Sequence, residues 1–194
     1  MSVPLTFRLA SVEDTAAILR IYAQYIDTGI TFETVLPSQT EFAERIRTTA
    51  SEFPYLVCER GGQLVGYAYA HRKFERAAYQ WTAELSVYLD SAVRGQGIGA
   101  MLYARLLRLL RAQNYQLAFA VVTAPNPASE RFHEKLGFLR RSEMPDVSFK
   151  NGCWYGIIWY EMRLLPKSIP PAPILPFPAL DGAFVQAVLE NPKQ

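Results

Sequence analysis

The chain of 194 residues is poor in cysteine and histidine, with two of each. Cys58 and Cys153 stand far apart among apolar neighbours. That excludes a disulfide framework and reads as two buried thiols. His71 and His133 are the two histidines, and no cluster of Cys, His and carboxylate residues surrounds either. A catalytic metal site is therefore not expected. Neither charge dominates: 20 Lys and Arg stand against 18 Asp and Glu, a net charge of +2. The balance gives no sign of a nucleic-acid surface. No apolar run approaches the ~20 residues that span a bilayer. Met1 to Arg8 lacks the basic start and long apolar run of a signal peptide. A soluble cytoplasmic protein is expected, with neither nucleic acid nor membrane as partner.

What is abundant is apolar surface. Half the residues are hydrophobic and 13% are aromatic, enough for one substantial core in a single domain with a tail. Leu5 to Leu9 reads as a first strand. Ser11 and Asp14 open a helix that runs to about Asp27 and stops at Gly29. Pro37, Ser38 and Glu41 open a second helix, with Phe42 and Ile46 on its buried side. Tyr55 to Cys58 and Leu64 to Ala70 form an antiparallel pair about Gly61-Gly62. A basic break, His71 to Arg76, precedes a strand over Tyr79 to Leu89. Leu117 to Val122 is a compact apolar strand. Ala128 to Leu136 is a short helix closed by Gly137. Phe138-Leu139 begins another strand, and Cys153 to Leu165 is a last strand after the Asn151-Gly152 turn. The order predicts an α/β (α+β) domain with a mixed, mostly antiparallel central sheet flanked by helices. The domain is expected over 1–165. From Pro166 the composition changes, with Pro170, Pro171, Pro173, Pro176 and Pro178 following. Residues 166–194 read as an extended proline-rich tail, lying on the body or disordered, with one short helical turn around Phe184, Val188 and Leu189.

The most informative stretch is Val87 to Arg111. Leu85, Val87 and Leu89 alternate with Glu84, Ser86 and Tyr88, the period of a half-buried strand. A turn rich in glycine follows, Arg94-Gly95-Gln96-Gly97-Ile98-Gly99. Ile98, Leu102, Leu106 and Leu109 or Leu110 then recur at helical spacing, with Arg105, Arg108 and Arg111 on another side. Glycines let backbone approach a ligand closely. The unpaired N–H groups and the dipole of the next helix favour a phosphate, and Arg94 adds charge. A tight strand–helix connection with an exposed arginine is the plainer reading of the turn. The spacing matches neither a P-loop, which needs Lys-Ser/Thr here, nor a dinucleotide fingerprint.

Arg94 to Gly99 resembles the acyl-coenzyme A pyrophosphate loop of the GCN5-related N-acetyltransferases. Asn126-Pro127-Ala128-Ser129-Glu130-Arg131-Phe132-His133-Glu134-Lys135-Leu136-Gly137-Phe138 resembles their second cofactor motif. Thr31-Phe32-Glu33, Gly66 to Ala70 and Trp81 to Tyr88 are similar to the phosphinothricin and methionine sulfone or sulfoximine acetyltransferase branch. The resemblance covers about Leu5 to Pro166 and implies the acyl-CoA N-acyltransferase fold, with acetyl-CoA as co-substrate and a homodimer. It implies cofactor contacts from Val87, Tyr88, Arg94, Gly95, Gln96, Gly97, Ile98, Gly99, Ala100, Asn126 and Ser129.

The same resemblance makes Glu84 the general base that takes the ammonium proton of the acceptor. A surface glutamate on a strand's outer face is the plain alternative. His133 stands where wider relatives carry a tyrosine that protonates the departing thiolate, and an imidazole can do that work. It can equally be a packed helix residue. Phe32 and Glu33 resemble the acceptor-side wall. Two positions depart from the branch: Phe74 replaces an arginine, and Asn151 a histidine. Arg72, Lys73 and Arg76 surround the first and are candidates to bind the acceptor's carboxylate. The expected activity is acetylation of a small amino-acid-like amine. The rivals are another amine (a polyamine or a protein N-terminus) and a non-catalytic acetyl-CoA-binding protein.

Overall fold

The sheet is built by hairpins and broken by one crossover. A computed structural model describes residues 3–192. Seven strands occur in the spatial order β1-β2-β3-β4-β5-β7-β6: β1 (Leu5–Leu9), β2 (Tyr55–Arg60), β3 (Gln63–Arg72), β4 (Thr82–Leu89), β5 (Leu117–Ala124), β6 (Leu139–Lys150) and β7 (Cys153–Arg163). Of the neighbouring pairs, β4 and β5 alone run parallel. Their connection carries α3 (Ile98–Ala112) over one face of the sheet, as parallel neighbours require.

The other helices are α1 (Thr15–Ala23), α2 (Gln39–Ala50), α4 (Pro127–Lys135) and α5 (Gly182–Glu190). Ser38 caps α2 with Glu41 returning the bond, a complete capping box. The first helix is shorter than its sequence pattern, with a 3-10 turn at Val12–Asp14 and turns beyond Ala23. The strand expected from Tyr79 begins at Thr82, after a 3-10 turn at Ala77–Tyr79.

Alternation along the strands sorts two clusters onto the two faces. Leu56, Ala68, Leu85 and Ala118 pack under Leu102, Leu106 and Leu109 of α3. Tyr55, Val57 and Tyr67 pack under Ile18, Ile21, Phe42 and Ile46 of α1 and α2. Cys58 is buried, but Cys153 is exposed, against the expectation from its apolar neighbours. It begins β7 at the tip of an edge hairpin, where neither side is covered. Among the described residues no helix is long and apolar enough to cross a membrane.

The segment after Pro166 lies on the body. Prolines offer no N–H to satisfy, and the carbonyls of this stretch find donors from the domain. Trp81 Nε1 donates to Ala172 O at 2.8 Å, Asn114 Nδ2 to Pro173 O at 2.8 Å, and Gln113 Nε2 to Leu175 O at 2.9 Å. In place of one turn there is a nine-residue helix, α5, capped by Asp181. Its Val185, Val188 and Leu189 join the α3 cluster. The arginine side of α3 is the seat for this helix. Arg105 is buried, its Nε donating to Leu189 O at 2.8 Å, and Arg108 reaches Pro192 O at 3.1 Å. Guanidinium groups at the C-terminal end of α5 meet its bare carbonyls and negative dipole end.

Val188→Asp places an unpartnered carboxylate in that contact. We expect a loss on the order of 3 kcal/mol, a melting temperature lower by roughly 6–12 °C, and faster chymotryptic cleavage after Phe184. Unchanged melting and proteolysis would show that the tail is not part of the core.

Candidate active site

The parallel pairing of β4 with β5 holds for three residue pairs, Thr82 with Leu117, Ala83 with Ala118 and Glu84 with Phe119. Beyond Glu84 the two strands diverge. β4 keeps its bonds to β3 as far as Leu89, and β5 keeps its bonds to β7 as far as Ala124. The inner edges that face each other are therefore without ladder partners. A cleft opens between Leu85–Tyr88 and Ala120–Thr123, closed behind by Tyr103, with Asn126, Ser129 and His133 at its rim. Unpaired backbone donors and acceptors on both lips suit an extended ligand with its own amides, bound as an added strand.

At one end β4 runs into the glycine turn. Gly95 and Gly97 have φ of +76° and +81°, and a Cβ at either would meet nothing within 4 Å. Backbone angle, not crowding, selects glycine there. The turn presents open main chain to solvent, and Gly97 is the left-handed N-cap of α3. The first-turn N–H groups of Ile98, Gly99 and Ala100 point out of the helix without intrahelical partners, a setting for a phosphate. Gly99 serves another end: a Cβ there would come 3.2 Å from the Phe132 ring, so α3 and α4 approach closely. Arg94 lies over the Tyr25 ring at 4.7 Å. The Tyr25 hydroxyl donates to Leu89 O at 2.6 Å and accepts from Leu89 N at 3.0 Å. One tyrosine thus fixes both the end of β4 and the seat of Arg94. Gln96 is held by Arg60, whose Nη2 donates to its Oε1 at 2.8 Å.

At the other end is Glu84, the last paired residue before the split. Lys73 Nζ donates to its Oε2 at 2.7 Å, and His71 Nε2 lies 4.0 Å from its Oε1. Lys73 also sits over the Trp159 ring at 4.2 Å. Phe74 packs edgewise on Phe119 and tilted on Trp159, extending the aromatic wall. The position expected for an arginine is thus an apolar wall residue, while the cation at its side meets the carboxylate.

The acetyltransferase (GNAT) domain description matches residues 7–159. The chain belongs to the GNAT acetyltransferase family. It is 34% identical over 175 residues to the phosphinothricin N-acetyltransferase of Streptomyces viridochromogenes, covering 89% of this chain and 94% of that one. It is 30% identical to the L-methionine sulfoximine/L-methionine sulfone acetyltransferase of Salmonella typhimurium, covering 87% and 99%. Among solved structures, a GNAT superfamily phosphinothricin acetyltransferase from Sinorhizobium meliloti in complex with AcCoA superposes with a TM-score of 0.82 at 30% identity. The match covers 91% of this chain and 99% of that one. The mixed sheet flanked by helices is the acyltransferase fold of this family.

Of the expected cofactor residues, Val87, Tyr88, Asn126 and Ser129 line the cleft, and Arg94–Ala100 make up the glycine turn and the first residues of α3. The Tyr88 ring packs edge-on to Tyr22 and Tyr25. Asn126 caps α4, its Oδ1 accepting from Ser129 N at 3.2 Å. The acceptor-side residues divide. Lys73 is at the carboxylate. Glu33 is bound to Arg45 at 2.6 Å, and Phe32 is exposed beside it. Arg72 projects from the opposite face of the sheet and pairs with Glu52 at 3.0 Å, because successive strand residues alternate sides. Arg76 is an exposed residue before the 3-10 turn at Ala77–Tyr79.

Three residues have roles that no sequence motif signalled: His71, Tyr25 and Lys150. Lys150 is buried, and Nζ donates to Thr31 O at 2.7 Å. Burial lowers its pKa. Beside it Asn151 donates to Asp27 O at 3.0 Å. The two side chains fasten the loop that carries Phe32 and Glu33, so the Asn151 departure is filled by a structural bond.

His133 lines the cleft but is only 4% exposed. Burial pushes its pKa down to about 4, with a hydrogen bond to Ser129 acting the other way. Nδ1 lies 2.8 Å from Ser129 O. A carbonyl can only accept, so Nδ1 carries the proton and Nε2 accepts from the Tyr103 hydroxyl at 3.4 Å. A neutral ring with its single N–H held by the backbone is a poor proton donor, which revises the expected acid role to one of packing. Because the folded value lies below the ordinary 6.5, the stability this group contributes is complete above about pH 7. It is lost as pH falls from 6.5 toward 4. We expect the stability difference between the wild type and His133→Gln to shrink by about 2 kcal/mol between pH 7.5 and 5, measured by urea denaturation. A difference independent of pH would mean the imidazole is not held neutral.

Proposed function

We propose that this GNAT protein moves the acetyl group of acetyl-CoA to the primary amine of a small amino-acid-like acceptor. The phosphinothricin, methionine sulfone and methionine sulfoximine class is the one named for its relatives. One observation carries the reading: a cleft between splayed strands has a glycine turn with open main chain at one end and a carboxylate at the other. The residues fit acetyl-CoA. Open main chain at Gly95 and Gly97 and the bare N–H groups of α3 would hold the diphosphate. Val87, Tyr88, Asn126 and Ser129 would line the pantetheine arm. The bound co-substrate supplies a thioester carbon open to attack by an amine.

Glu84 receives one proton of the acceptor's ammonium, making the nitrogen nucleophilic. The nitrogen bonds to the acetyl carbon as the carbon–sulphur bond breaks, and the electron pair leaves on sulphur. The second nitrogen proton completes the thiol, and Glu84 returns its proton to solvent. With His133 neutral and held, the chain contributes chiefly a base and the alignment of two reactants. The same reading places the protein in the cytoplasm, with acetyl-CoA at hand.

The β6–β7 hairpin supports a homodimer. Phe149 and Trp154 are 59% and 61% exposed, pack on each other at 5.3 Å, and stand near Val147 and Met144, also exposed. Such a patch on an edge hairpin suits a second copy of the chain. Trp154→Glu combined with Phe149→Glu is expected to halve the mass found by light scattering. An unchanged mass would remove this face from consideration.

For the reaction, Glu84→Gln is expected to lower kcat by about 100-fold or more while acetyl-CoA affinity stays within about twofold, by single-turnover kinetics and calorimetry. Unaltered turnover would strip Glu84 of the base role, and tight acetyl-CoA binding without turnover in the wild type would favour a binding protein.

A further inference from the structure

Glu84 is not a free carboxylate. Lys73 Nζ lies 2.7 Å from it, and the two side chains are 8% and 19% exposed. The Lys73 ammonium is otherwise met by the faces of Trp159 at 4.2 Å and Phe74 at 5.7 Å. Aromatic faces attract a cation but accept no strong hydrogen bond from it. Among the described residues Glu84 is therefore its one carboxylate partner, and a base so paired is not available to an incoming ammonium. His71 Nε2 lies 4.0 Å from Oε1, and the charge of this carboxylate is also felt by the Tyr69 and Tyr103 hydroxyls. The inner end of the cleft thus holds one positive and one negative group side by side, nearly out of water.

An α-amino acid carries the complementary pair on a single carbon. We propose that the acceptor is recognised by ion-pair exchange: the Lys73–Glu84 bond opens, Glu84 takes the acceptor's ammonium, and Lys73 takes its α-carboxylate. This deepens the function proposed above and rests on Glu84 being the base. When the zwitterion enters, one buried ion pair becomes two and the net charge of the site is unchanged, so neither partner is left alone. An amine without an adjacent carboxylate makes the exchange incomplete. It displaces Lys73 from Glu84 and leaves an ammonium facing apolar rings with no anion, the costly arrangement for a buried charge. The exchange selects a free α-carboxylate and disfavours polyamines, amino-acid amides and peptide N-termini. A lysine suits the task better than an arginine fork, because a compact ammonium on a flexible stem can turn from one carboxylate to another. The empty pair also shields the base until an acceptor of the right charge arrives.

The test compares L-methionine sulfone with its carboxamide and with the amine that lacks the carboxylate altogether. For the wild type, kcat/KM is expected to fall about 100-fold or more when the carboxylate is removed, mainly through KM. Lys73→Met is expected to bring the three substrates within about fivefold of one another, and Lys73→Arg to restore a preference for the acid. Calorimetric titration of the same three compounds reads the same preference without turnover. Because the wild-type comparison needs no variant, poor folding of Lys73→Met leaves the first arm decisive. Equal handling of acid and amide by the wild type overturns the exchange, as does a Lys73→Met enzyme that keeps the full preference. In both cases acetylation of amino acids would still stand. Acetylation of a polyamine or peptide with no free amino acid accepted or bound would instead defeat the acceptor assignment itself, and the exchange with it.

Discussion

The structure depends on where a parallel ladder stops. β4 and β5 share three residue pairs and then part, and each remains a full member of its own half-sheet. The seam costs little stability, because β3 still bonds β4 and β7 still bonds β5 along their remaining lengths. What the seam leaves unsatisfied is two facing rows of backbone groups inside the protein. Buried amides want partners, so the gap is itself a recognition element for an extended chain of amides. Tyr103 from α3 closes it behind, and the His133 ring from α4, at its rim, packs edgewise on Tyr103. The last paired residue is Glu84, so the carboxylate stands where the strands begin to separate.

Charge is placed with the same economy. At the glycine turn the positive character comes largely from main chain, and Arg94 is stacked on Tyr25 instead of being tied to an acid. It stays available to an anion. At the inner end the charges are already matched, Lys73 with Glu84 and, further out, Arg45 with Glu33. One end of the cleft is prepared for a net negative ligand, the other for a ligand with no net charge but two ionic groups. That asymmetry agrees with a nucleotide-bearing co-substrate meeting a zwitterion. It does not favour a polycation, which would bring positive charge to Lys73.

Elements made by local rules were legible in the sequence. The Ser38–Glu41 capping box, the glycine turn and the alternation in β4 each declare themselves within a few residues, and the element order follows from them. β6 was legible only at its start. Leu139–Lys150 is an exposed edge strand with mixed polarity, Pro145 within it and two register shifts against β7, and such a strand shows no period. What joins distant positions was hidden. The Lys150 contact to Thr31 spans 119 residues and the Arg105 contact to Leu189 spans 84. Arg72 and Lys73 look equivalent as adjacent basic residues, yet Arg72 ends β3 on the face away from Glu84, while Lys73, in the bend just beyond the strand, turns to Glu84. Cys153 has apolar neighbours along the chain yet is exposed, because burial is decided by what covers a strand.

The tail shows how a proline-rich sequence can be ordered without forming a sheet. A segment short of N–H groups is an acceptor strip, and the domain offers donors to successive carbonyls along it: Trp81 to Ala172, Asn114 to Pro173, Gln113 to Leu175. The strip then delivers α5 to α3, where buried Arg105 meets its last carbonyls and lies over the Phe7 ring of β1 at 3.6 Å. α3 therefore has three obligations: apolar residues to the sheet, arginines to α5, and its N-terminal amides to the cleft. A shift of α3 along its axis would disturb all three together. Docking of the tail at its far side thus bears on the position of the glycine turn, which links a segment outside the GNAT match to the geometry of the candidate site.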